Sequence, residues 1–196
     1  MARRGAQPSS AGKMKLGACR RIAVIGNSCG GKSGLSTLLA CALEIPLFSV
    51  DRHQWSAGWQ RVPDEELTAM HDDFVQQESW LVDGWGPDST FERRLEQADL
   101  VILVAHPLRV HGWWAIKRAT KSLFRPDPSF NEGCRPYEMI LPNLKIIWDT
   151  HRVHLPALSG TLAACSSKLL QIRSPDVLHR FMEQVHRGAE LQLRVG

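Results

Sequence analysis

Gly26-Asn27-Ser28-Cys29-Gly30-Gly31-Lys32-Ser33 decides the reading of this chain, because it spells G-x-x-x-x-G-K-[ST] between a strand pattern and a helix pattern. Ile22-Ala23-Val24-Ile25 before it is a short, apolar, largely β-branched run, as in a buried strand. Gly34-Leu35-Ser36-Thr37-Leu38-Leu39-Ala40-Cys41-Ala42-Leu43 after it carries apolar residues at helical spacing. A glycine-rich turn between strand and helix makes a nest of backbone N–H groups at a helix N-terminus, which suits a polyphosphate. Lys32 is expected to reach the β- and γ-phosphates, and the Ser33 hydroxyl to hold Mg²⁺. Residues 26–34 are thus the expected ATP-binding loop, with Cys29 a reduced thiol at a variable position.

Four more apolar runs read as strands: residues 45–50 ending in Asp51, 80–82 ending in Asp83-Gly84, 100–105 ending at His106-Pro107, and 168–173 ending in Ser174-Pro175. Helical patterns at about 63–78, 90–97, 107–123, 136–152 and 175–188 alternate with them. Near-continuous apolar strands are covered on both faces. The alternation predicts an α/β fold, a five-stranded parallel sheet in three α/β/α layers, with ligands at the carboxyl ends of the strands. Asp51, Asp83, His106 and Arg173 stand at those ends. Residues 125–135, rich in Pro, Gly, Asp and Asn, read as a loop. No G-x-G-x-x-G follows the first strand, so a dinucleotide-binding reading has no support.

With 196 residues, 43% hydrophobic and 22% charged, the chain has the composition of one globular domain. No apolar run approaches the ~18 residues needed to cross a bilayer. Five scattered cysteines without ligand spacing fit a reducing, cytoplasmic setting. The net charge of +4 is local in origin: residues 1–21 hold six basic residues and no acid, leaving 18 basic against 20 acidic residues elsewhere. Residues 1–19 are expected to be a disordered basic tail, an upstream extension before a start near Met14. Residues 20–190 form the expected domain, with a mobile lid at about 117–135.

Transfer of a γ-phosphoryl group needs a cradle with Mg²⁺, an acceptor in line, and positive charge for the transition state. Asp83, at a strand end before Gly84, is the expected acid beside the metal; a turn-capping Asp is the plainer alternative. Asp51 is placed to accept hydrogen bonds from acceptor hydroxyls, with Trp55 and Trp59 as stacking faces or, alternatively, as core residues. Residues 107–125 hold Arg109, Lys117, Arg118, Lys121 and Arg125 and no acid. Arg118 and Arg125 are expected to fold over the phosphates, the alternative being a solvated basic helix face. His151 and His154 have helical spacing but no partner acid or Cys for zinc. Trp113-Trp114 read as core with partial exposure.

Several separated pieces together resemble the adenylate-kinase-like P-loop group, and within it the bacterial topology modulation proteins. They are the phosphate loop, Val50-Asp51 with Trp55-Ser56-Ala57-Gly58-Trp59, and Glu78-Ser79-Trp80-Leu81-Val82-Asp83-Gly84. Phe91-Glu92-Arg93-Arg94-Leu95-Glu96-Gln97-Ala98-Asp99, Lys117-Arg118, Arg125-Pro126-Asp127, Gly133-Cys134 and Ile147-Trp148-Asp149 complete the set. The resemblance implies a nucleoside-monophosphate-kinase-like arrangement with ATP and Mg²⁺, a metal-site strand end at Asp83, and Arg118 and Arg125 in the lid. It also places the turn after Ile172, with Arg173, near the adenine. Trp85-Gly86 stands where this family usually continues Asn-Tyr, which removes a familiar acceptor contact. Gly34 replaces the usual Thr.

The expected activity is ATP-dependent phosphoryl transfer to a small acceptor, a nucleoside or nucleotide among the candidates. Lys32, Arg118 and Arg125 would act on the transferred group. The alternative is an ATP-binding regulatory protein that affects DNA topology or binds nucleic acid through residues 107–125.

Overall fold

The computed structural model describes residues 12–188 and 191–195. In chain order the strands are β1 (Gly12–Lys15), β2 (Arg21–Gly26), β3 (Leu47–Ser49), β4 (Trp55–Ser56), β5 (Gln60–Arg61), β6 (Trp80–Asp83), β7 (Leu100–Val104), β8 (Leu169–Ile172) and β9 (Gln192–Val195). The α-helices are α1 (Lys32–Leu43), α2 (Val50–Gln54), α3 (Asp64–Phe74), α4 (Asp88–Gln97), α5 (Leu108–Ser122), α6 (Ile140–Asp149), α7 (Leu155–Ala157), α8 (Ser159–Ala164) and α9 (Pro175–Arg187).

The central sheet has the order β3-β6-β2-β7-β8, and all four pairings are parallel. Its inner strands are the apolar runs of the sequence: β6 and β7 are buried throughout, and β2 from Ile22 onward. Alternation along β2 divides the core. Ile22 and Val24 pack with Leu35 and Leu39 of α1 and Leu178 and Phe181 of α9. Ala23 and Ile25 pack with Leu67 of α3 and Phe91 and Leu95 of α4. The result is the expected three-layer α/β/α sandwich. The chain switches from one side of β2 to the other between β6 and β7, and such a switch point opens a crevice at the strands' carboxyl ends.

Three expectations change. Gly12–Lys15 is not part of a disordered tail: it pairs antiparallel with Gln192–Val195, and Leu16 is 0% exposed beside Leu193 and Val195. The partner strand lies at the far end of the chain, beyond the reach of any local pattern. Residues 1–11 of that tail lie outside the described residues. The second strand stops at Ser49, so Asp51 sits in the first turn of α2. The helix expected over 136–152 begins at Ile140 and runs on through a π-turn, Thr150–His154. Among the described residues, no helix is long and apolar enough to cross a membrane.

Candidate active site

The loop between β2 and α1 has the backbone that a phosphate cradle requires. Gly26 has φ +136°, and a Cβ there would stand 2.2 Å from the Val104 carbonyl oxygen, so only glycine fits. Lys32, 7% exposed, donates its ammonium to the Asn27 carbonyl at 2.8 Å. Ser33 follows in the first turn of α1, and Gly34 beside it faces open space. The Asn27 side chain ties the loop to α6. Its Nδ2 donates to the Ile147 carbonyl of α6 at 2.7 Å, and its Oδ1 accepts from the Ser28 N–H. Behind the loop, His111 donates to the Ser28 carbonyl and His106 to that of Gly30.

Asp83 ends β6 next to β2, in register with Val24, and is 3% exposed. Burial pushes its carboxyl up to about 6; Lys32 pulls it down, Asp51 raises it, and a Ser33 hydrogen bond and Arg94 lower it. Its Oδ1 has no partner. A hydroxyl and an orphaned carboxylate oxygen beside a triphosphate cradle are hard donors, a set that fits Mg²⁺ with its remaining positions left to water and phosphate.

Arg94 of α4 escaped the sequence reading as a site residue. Its guanidinium is fully buried and donates from Nη2 to the carbonyls of Gly84 (3.0 Å) and Trp85 (2.8 Å), over the Phe91 ring. Burial lowers it to about 10, and Asp83 pulls it back up, so it stays charged at neutral pH. It thereby pins the turn that follows Asp83.

A cavity of about 560 Å³ opens from the loop, lined by Gly26, Ser28 and Lys32 and also by Asp51, Trp55, Trp59 and Trp85. The two expected tryptophans meet edge to face at 5.6 Å, and Trp59 packs on Phe130 at 5.1 Å. Residues 131–138 staple this wall in place. Asn131 donates to the Trp55 carbonyl, Cys134 Sγ accepts from the Trp59 N–H at 3.3 Å, and Glu138 accepts from the Trp59 indole at 3.0 Å. Trp85 stacks on Phe91 and joins the cavity wall; with Phe130, it is a lining residue the sequence reading did not assign.

Arg118 lines this cavity, paired with Asp127 at 3.1 Å and lying over the Phe130 ring. Arg125 does not reach it. It follows the end of α5 and lines a neighbouring groove of about 580 Å³ with Trp114, Lys117, Lys121 and Arg118, which lines both. Arg173 is also outside the cavity lining; its guanidinium bonds the Gln171 side chain at 2.7 and 3.1 Å. The structure thus gathers Lys32, Ser33, Asp51, Asp83, Trp55, Trp59 and Arg118, while Arg125, in the groove next to Arg118, and Arg173 are not among the residues lining the cavity.

No protein-family model and no curated protein matches this chain. Among solved structures, the shikimate kinase of Acinetobacter baumannii, determined in complex with shikimate, aligns with a TM-score of 0.50 at 12% identity. The alignment covers 88% of this chain and 93% of that one. The shikimate kinase of Bacteroides thetaiotaomicron aligns over 87% and 98% of the two chains, with a TM-score of 0.46 at 12% identity. At such identity the likeness speaks for architecture alone. The chain has the α/β fold of the P-loop kinases, a five-stranded parallel sheet flanked by helices.

Proposed function

We propose that this protein is an ATP-dependent phosphotransferase that moves a γ-phosphoryl group to the hydroxyl of a small acceptor. One observation carries the reading: the phosphate cradle and the aromatic, Asp51-bearing pocket open into the same cavity. A donor and an acceptor bound in it together would meet beside Lys32. In this reading the loop N–H groups and Lys32 hold the β- and γ-phosphates, and Arg118 neutralises charge as it develops on the transferred group. Asp51 accepts the acceptor's hydroxyl hydrogen bonds and orients the nucleophile, while Trp55, Trp59 and Trp85 cover its ring or carbon skeleton and exclude water. Ser33 and Asp83 would hold Mg²⁺, which when bound neutralises the phosphate oxygens.

The fold neighbour crystallised with shikimate supports a hydroxylated small acceptor, at the level of fold. The narrower likeness to topology modulation proteins rests on the quoted residues alone. The test is a screen for acceptor-stimulated ADP release over nucleosides, nucleoside monophosphates, polyols and cyclic hydroxy acids including shikimate. Stimulation by one class is expected. Stimulation by none, together with salt-dependent retention on DNA, would move the assignment to an ATP-binding regulator.

A further inference from the structure

A loop whose N–H groups converge on an anion turns its carbonyls the other way, and a buried carbonyl needs a donor. Here two imidazoles supply it. His111 Nδ1 lies 2.8 Å from the Ser28 oxygen, and His106 Nε2 lies 3.2 Å from the Gly30 oxygen. A carbonyl only accepts, so each imidazole carries its proton on that nitrogen. Both side chains are 1% exposed, with ring centroids 5.5 Å apart. The fit is close: a Cβ on Gly30 would lie 3.0 Å from His111 Cε1, which accounts for a glycine at a position the loop motif leaves free.

His106 follows β7, and His111 sits in the first turn of α5, the helix that carries Arg118 two turns on. We infer that His111 and His106 are positioning residues for the phosphate site: they hold the Ser28 and Gly30 carbonyls outward, so that the loop N–H groups point inward, and they lock α5 to the loop. The inference rests on the proposed nucleotide site and deepens it. Burial lowers both imidazoles, His111 to about 4, so they stay neutral and add no repulsion to Lys32. Trp114 completes the attachment, edge-on to His106 at 5.5 Å and 3.3 Å from a Cβ built on Gly31.

Calorimetric titration of the full chain with ATP, and separately with inorganic tripolyphosphate, tests this directly. His111→Phe keeps the volume and removes the donor; it is expected to weaken both ligands by about tenfold. His111→Asn, with an N–H in place of Nδ1–H, is expected to bind both within about threefold of the unaltered protein. Equal binding by His111→Phe and the unaltered protein, or no recovery in His111→Asn, overturns the inference while leaving the site intact. If His111→Phe does not fold, the pair His106→Leu and His106→Gln puts the same question to the Gly30 carbonyl, with the same two outcomes. No ATP binding by the unaltered protein, or undiminished binding by Lys32→Ala, overturns the nucleotide site itself and the inference with it.

Discussion

Asp83 is where stability and the proposed chemistry pull apart. Its carboxyl is raised from 3.8 to about 6, first by burial, so the folded chain binds that proton more tightly than the unfolded chain. Ionising it therefore costs stability as pH rises from about 4 through about 6, and the cost persists at pH 7. Asp83→Asn is expected to raise the unfolding free energy at pH 7 by about 2 kcal/mol and to abolish Mg²⁺-dependent ATP turnover. Denaturant unfolding checks the first effect and a coupled ADP assay the second; a less stable variant would contradict the assignment. Among the site residues, Lys32, Ser33 and Asp83 were legible because the loop motif and a strand end fix their neighbours. Arg94 and His111 were not. Each serves backbone carbonyls that the fold turns toward it, and nothing in the neighbouring sequence marks that.

At the level of elements, five strands were readable because both faces of β2, β6 and β7 are covered and their residues are uniformly apolar. The β1–β9 pair was hidden: β1 is four residues long, lies in a basic stretch, and finds its partner at the other end of the chain. Its anchor is Leu16, buried in the cluster that also holds Ile22, Leu193 and Val195. Leu16→Ala is expected to cost about 2–5 kcal/mol in urea unfolding. A cost near zero would return this segment to the tail. Arg125 lies outside the cavity lining for a reason of geometry. The helix α5 and the turn after it carry Arg118 to the cavity but take Arg125 past it. Trp55 and Trp59 meet in the fold, yet the staple from Asn131, Cys134 and Glu138 that holds them appears only in three dimensions.

For the molecule as a whole, acid is expected to weaken the fold through its buried imidazoles. Burial lowers His71, His106 and His111 below their ordinary 6.5. The unfolded chain therefore takes up protons before the folded one, and stability falls as pH drops below about 6.5 toward 4. Asp83 opposes this below about pH 6. Thermal melts at pH 7 and pH 5 should show a lower melting temperature at pH 5, and His111→Asn should remove about 2 kcal/mol of that loss. An unchanged or rising melting temperature would contradict the buried-imidazole account.

The most direct test of the phosphotransferase reading follows the phosphorus. With γ-labelled ATP and the acceptor that most stimulates ADP release, the label should appear on that acceptor with the unaltered protein and on nothing with folded Lys32→Ala. Label recovered only as inorganic phosphate, or undiminished transfer by Lys32→Ala, would contradict it.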